Sequence, residues 1–181
     1  MTTAAAPSER IQVPAAGRYR IDRAESTVTF ATRHLFGLAP VHGTFELRDG
    51  VVDVAERVTD SAAWARVSAS SFHTGNDARD ATVLSAKLLD ADTHHSLAFA
   101  STAVAEERGS WLLRGELEVR GVARLAQARI DELTIADAGA TLRATARVEI
   151  DRYAFGLTAY RGLAARRVTV TLNVTAHRER A

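Results

Sequence analysis

Apolar and polar residues alternate with a period of two through most of this chain, and this feature limits the possible folds more than any other. Successive side chains of a strand point to opposite faces, so such alternation marks strands with one dry and one wet side. Val168, Val170, Leu172, Val174 and Ala176 alternate with Thr169, Thr171, Asn173, Thr175 and His177. Leu142 to Ile150, Trp111 to Val119, Leu97 to Ala103, Ala63 to Ala69 and Val41 to Leu47 repeat the pattern. Segments near 17–32, 51–57 and 122–136 bring the total to about eight or nine strands. One wet face per strand implies an antiparallel sheet. The absence of proline after Pro40 suits long ladders. The dipeptide Asp49-Gly50 predicts a tight hairpin turn. Only 77–90, with Val83, Leu84, Lys87 and Leu88 at spacings of three and four, reads as helix.

Strands of about ten residues reach roughly 35 Å, longer than sandwiches usually need and easily absorbed by the tilt of a barrel. The expected fold is therefore all-β: an eight-stranded antiparallel barrel with one short helix near 77–90. The length of 181 residues fits one domain. Its inward face carries Ala63, Ala65, Ala69, Ala144, Ala146, Ala176, Gly43 and Gly115 among larger apolar groups. Small inward residues leave room for a ligand, unless the helix plugs the lumen. The inward set should include Val28, Phe30, Phe45, Val67, Phe99, Leu113, Leu117, Val148, Val170 and Leu172.

Composition removes whole classes of chemistry. There is no cysteine, which excludes disulfides, thiol nucleophiles and thiolate metal sites. The net charge of +1 argues against a nucleic-acid partner. No segment reaches the ~18 apolar residues of a membrane span. Residues 1–16 lack the basic and apolar regions of a secretion signal and read as a disordered leader, with the domain over 17–178 and the protein cytoplasmic. None of the common nucleophile, nucleotide or zinc-peptidase motifs occurs. His94 and His95 are adjacent, and His34, His42 and His73 are scattered, so no metal and no cofactor are expected. The polar run Ser70 to Asp80 is a strand end, a turn and a helix start, in which Asp77 or Asp80 could cap the helix and Arg79 could pair with Asp80. It is either a structural turn or a polar mouth. The loops Leu35–Pro40 and Phe155–Leu163 are unusually apolar and either cap the barrel or line an entrance.

These segments, in this order, resemble the YceI-like family of lipocalin-like, polyisoprenoid-binding proteins. The resemblance is carried by Gly17-x-Tyr19-x-Ile21-Asp22, Ser26-x-Val28-x-Phe30, His34, Val41-x-Gly43-x-Phe45 and Val67-x-Ala69-x-Ser71. It continues through Thr74-Gly75-Asn76, Arg79-Asp80, Leu89-Asp90, Phe99-x-Ser101, Gly115-x-Leu117, Gly121-Val122 and Ile150-x-Arg152 with Phe155-Gly156. The chain departs from the family's pattern at Glu25, at Thr82-Val83-Leu84, at Leu88 and at Arg166-Arg167. The resemblance implies a lumen that takes a long isoprenoid chain, such as a polyprenyl compound or isoprenoid quinone, carried, stored or sequestered. Expected tunnel walls are Val28, Phe30, Phe45, Val67, Phe72, Leu84, Leu88, Phe99, Leu117, Phe155 and Leu172. Expected mouth or bracing residues are His34, Ser71, Thr74, Asn76, Arg79 and Arg152, with Arg79 and Arg152 facing a head group or pairing with Asp80 and Asp151. An enzyme acting on such a lipid through His34, His73 or Asp80 is the competing reading, and a filled-barrel interaction protein is another. The isoprenoid lipid is the expected partner, with a transient membrane contact and a homodimer both compatible with the sequence.

Overall fold

The alternating segments pair antiparallel throughout the computed structural model, which describes residues 13–34 and 38–180. In chain order they are β1 (Gly17–Ile21), β2 (Thr27–His34), β3 (Ala39–Phe45), β4 (Leu47–Val54) and β5 (Ala62–Ser68). One helix follows, α1 (Asp77–Leu84), then β6 (Ser96–Glu107), β7 (Ser110–Val119), β8 (Val122–Ala136), β9 (Thr141–Asp151) and β10 (Arg167–Arg178). The strands run β1-β4-β5-β6-β7-β8-β9-β10-β2-β3 around the sheet, and a further pairing of β1 with β10 closes it.

Two pairs of these strands are halves of single staves. β10 pairs with β2 through Thr169–Asn173 and with β1 through Ala176–Arg178, so β1 and β2 lie end to end along it. β3 pairs with β2 and β4 with β1, so β3 and β4 also lie end to end. Counting each broken stave once, the closed barrel has the eight positions that the alternation predicts. Arg108-Gly109 and Arg120-Gly121, all with positive φ, join β6 to β7 and β7 to β8. Positive φ at both central residues is the twist-matching hairpin turn.

Two local expectations are corrected. Asp49-Gly50 is not a turn but lies inside β4. A Cβ on Gly50 would stand 2.6 Å from Ile21 Cδ1 and 2.8 Å from the Trp64 carbonyl, so the glycine serves close approach. The stave breaks instead at Glu46, whose N–H donates to Ser71 Oγ at 2.7 Å. The helix is also shorter than the 77–90 pattern. It stops at Leu84 because Ser85 turns extended and donates its hydroxyl to the Thr82 carbonyl at 2.7 Å. Leu88 and Leu89 keep their apolar role from a turn.

None of the ten residues expected to face inward is exposed, and Val28, Phe30, Leu117 and Val148 are buried. One core cluster surrounds Tyr19, which is wholly buried and whose hydroxyl lies 2.9 Å from the Ala15 carbonyl and 3.2 Å from that of Gly139. Of the expected leader, 1–12 lie outside the described residues, while Ala15 and Ala16 accept hydrogen bonds from Tyr19 and Arg178. Among the described residues no helix is long and apolar enough to cross a membrane.

Candidate functional site

The lumen is filled at one end and hollow at the other. At the α1 end, Phe30 stacks on Phe72 with ring centroids 4.9 Å apart, and Phe45 meets both at 5.6 and 5.4 Å. Phe30 is admitted because its neighbour across the ladder is Gly43, where a Cβ would fall 2.5 Å from the ring. Leu117 and Phe155 are buried beside Val119, Leu89 and Leu157, with Leu88, Phe72 and Phe99 packed against them. Leu84, half-buried, ends the helix. Val28 and Val67 belong to the neighbouring cluster around Tyr19.

At the other end lies an apolar cavity of about 160 Å³. Its walls come from Val52 and Val54 on β4, Ala63 and Ala65 on β5, Phe99 and Val104 on β6, and Trp111 and Leu113 on β7. Ala128, Ile130 and Leu133 on β8, Leu142, Ala144, Ala146 and Val148 on β9, and Leu172 and Val174 on β10 complete the ring. Ser61 is the one side chain with a hydroxyl at its edge, and that oxygen already accepts the Ala55 N–H at 3.0 Å. A dry cavity of roughly 150 Å³ is large enough for a benzene-sized guest. Four alanines on β5 and β9 leave room that most other lining residues, such as Phe99, Trp111, Ile130 and Leu172, would fill.

The polar residues of 70–80 sit at the filled end. Asn76, rather than Asp77 or Asp80, caps α1 by accepting the Arg79 N–H at 2.9 Å. Asp80 is buried and accepts the Thr74 hydroxyl at 2.5 Å and the Thr74 N–H at 3.0 Å, and its Oδ2 is 3.1 Å from His73 Nδ1. Burial by itself would raise the Asp80 pKa, but the Thr74 hydrogen bonds and the nearby His73 outweigh it and hold the carboxyl below its ordinary value. Arg79 Nε donates to the same Thr74 hydroxyl at 3.0 Å. Ser71 donates to the Ser68 carbonyl at 2.7 Å.

Arg152 is a brace. It is buried, and its guanidinium donates to the carbonyls of Ala165 at 2.8 Å, Ala159 at 2.9 Å and Ala164 at 3.0 Å, and also to that of Leu157. Burial pushes its pKa down from the ordinary value. Asp151, the partner weighed for it, bonds Arg166 at 2.9 Å instead. His34 ends β2 and bridges to Ala164 in the loop that Arg152 holds.

Of the residues expected from sequence, Phe99 and Leu172 line the cavity. Phe30, Phe45, Phe72, Leu88, Leu117 and Phe155 pack together beside it, Val28 and Val67 belong to the cluster around Tyr19, and the expected mouth residues stabilise turns at the far end. Beside the 70–80 turn the rings of Phe30, Phe45 and Phe72 pack on one another, and none of the three lines the cavity. Of the inward alanines, Ala63, Ala65, Ala144 and Ala146 line the hollow, while Ala69 and Ala176 do not. Its larger residues, such as Trp111, Ile130 and Leu133, carry no signal separating them from ordinary core.

Comparison with known proteins reaches the same architecture. A family model, the YceI-like domain, matches residues 19–176. This chain belongs to the YceI-like family. Among solved structures, Burkholderia cenocepacia BcnA matches this YceI-like chain with a TM-score of 0.72 at 22% identity, covering 86% of this chain and 98% of that one. A polyisoprenoid binding domain from Saccharophagus degradans implicated in plant cell wall breakdown matches with a TM-score of 0.65 at 15% identity, covering 89% and 98%. The Campylobacter jejuni YCEI protein matches with a TM-score of 0.63 at 16% identity, covering 77% and 86%. At these identities the likeness is one of fold. Among curated protein sequences none matches the chain.

Proposed function

We propose that this YceI-like protein binds an isoprenoid lipid, with the apolar tail entering the cavity ringed by β4–β10. The observation that carries this reading is a hollow inside the barrel whose walls are almost wholly apolar, with alanines at four of its inward positions. Membership of the family and the likeness to a polyisoprenoid binding domain support it. Each buried CH₂ contributes roughly 0.8 kcal/mol, so even one five-carbon unit contributes a few kcal/mol before the cost of ordering the ligand. The cavity as it stands has room for about one such unit. A longer tail enters by displacing wall side chains or by leaving its remainder outside the cavity. A polyprenyl compound and an isoprenoid quinone both fit this description.

Binding is favoured over catalysis on a lipid because the buried Asp80 and its partner His73, the best-placed acid–base pair among the residues considered for such chemistry, lie beyond the packed layer from the cavity. The test is organic extraction and mass spectrometry of lipid co-purified with wild-type protein, Ala65→Trp and Ala144→Trp. The wild type should yield a prenyl lipid, and both folded variants should lose it. Tryptophan variants that fold and retain lipid at wild-type occupancy would overturn the proposal.

A further inference from the structure

Three side chains outside the lumen converge where the β1–β2 stave is broken. Asp22 and Glu25 lie in the turn between β1 and β2, and His177 lies near the end of β10, opposite Arg20 in the β1 ladder. His177 Nε2 is 3.9 Å from Asp22 Oδ2 and 3.7 Å from Glu25 Oε2, and the three ligand-type atoms all lie within 4.8 Å of one another.

The other side of the imidazole decides what occupies that gap. Thr141 Oγ1 lies 2.6 Å from Asp137 Oδ2 and 3.3 Å from His177 Nδ1. Thr141 has one hydroxyl proton, and a carboxylate can only accept, so that proton goes to Asp137. The remaining contact requires Nδ1 to carry the hydrogen and Thr141 Oγ1 to accept it. In the neutral imidazole, Nε2 is then a bare lone pair facing two carboxylates. Asp22 Oδ1 is occupied with the N–H groups of Ala24 at 2.7 Å and Glu25 at 3.2 Å, which leaves Oδ2 for the gap. Both separations exceed a direct hydrogen bond, so the imidazole nitrogen and the two carboxylate oxygens border one space that a bound cation could fill. Ligand arms of ~2.1 Å at tetrahedral angles would set neighbouring ligands roughly 3.4 Å apart, near the separations observed. A hydrogen bond fixing the second ring nitrogen is the usual support of a metal-bound histidine.

We propose that Asp22, Glu25 and His177 form a divalent-cation site for zinc, with Thr141 as the positioning residue for His177. One imidazole nitrogen and two carboxylate oxygens suit zinc, which binds such mixed sites more tightly than manganese or iron(II). All three ligand residues are partly or fully open to solvent, so water completes the coordination. The ion would clamp the break in the β1–β2 stave to β10, on the barrel wall rather than in the lipid cavity. The sequence expectation of no metal rested on histidines 34, 42, 73, 94 and 95 and passed over His177.

The test uses the full chain, stripped with chelator and titrated with zinc at neutral pH against a competing chromophore. Wild type should take up one zinc per chain and gain a few degrees in thermal midpoint at saturation. Glu25→Gln and His177→Ala should each weaken binding at least tenfold, and Thr141→Val should weaken it about tenfold while leaving all three ligands in place. Cobalt in place of zinc should give a visible spectrum that Glu25→Gln abolishes. Glu25 is an exposed turn residue, so its amide variant remains informative if His177→Ala fails to fold. No uptake by the wild type would overturn the proposal. Equal uptake by wild type and Glu25→Gln would overturn it as well, by placing the zinc on other residues.

Discussion

Asp80 shows how a single carboxylate organises the turn that leads into α1. Its environment holds it more acidic than usual, as the competition between burial and the Thr74 and His73 contacts requires. A carboxyl whose folded pKa is depressed stabilises the protein fully above its unfolded value of about 3.9, and that contribution fades as pH falls through the folded value. Asp80→Asn should therefore cost about 1–3 kcal/mol at pH 7, the scale of losing a charge-assisted acceptor at a buried site. The gap between wild type and variant should narrow as pH falls below about 4. Urea unfolding at pH 7 and at pH 3 checks this, and an unchanged gap would mean that the negative charge is not what matters. The sequence showed that Thr74, Asn76, Arg79 and Asp80 belong together, because their residue types are too polar for a strand face. It could not assign partners: capping falls to Asn76 and the buried acceptor role to Asp80. Arg152 was legible as a brace or a head-group donor, and only the carbonyls converging on it decide between them.

The elements were readable wherever periodicity governs them and misread where contact does. Gly43 and Gly115 share the inward phase and suggest empty space, but neither lines the cavity. Gly43 makes room for the Phe30 ring, and a Cβ on Gly115 would fall 2.1 Å from the Ala100 carbonyl and 2.7 Å from Ser101 Cα. That crowding sits where the β6–β7 register shifts between Ser101 and Ala103. Gly115→Ala should destabilise the barrel by about 2 kcal/mol or more, since the obstacle is ladder backbone rather than a flexible side chain. A thermal midpoint within a degree of wild type would show that the bulge yields easily. Gly50 misled for the same reason: a glycine beside an aspartate signals a turn locally, whereas here its missing Cβ lets Ile21 and the Trp64 carbonyl approach. The helix was overextended because Leu88 keeps helical spacing while packing from a turn.

For the whole molecule, eight alternating staves were enough to specify closure, and four of the six inward alanines border the hollow while Ala69 and Ala176 are buried core. What the sequence could not supply was the uneven filling, because the three phenylalanines that seal one end come from β2, β3 and the segment before α1. The void gives the protein a mechanical property. Unfolding abolishes internal space, so hydrostatic pressure favours the unfolded chain in proportion to the void that is lost. A volume of 160 Å³ corresponds to roughly 100 mL/mol, the upper end of what small proteins release on unfolding. Both of the chain's two tryptophans, Trp64 and Trp111, border this space. Their emission should therefore report compression of the empty barrel directly. Pressure titration followed by tryptophan fluorescence should give a smaller unfolding volume for Ala144→Leu than for wild type, and a smaller one again for protein saturated with a prenyl lipid. Identical volumes in all three would mean that water already fills the hollow.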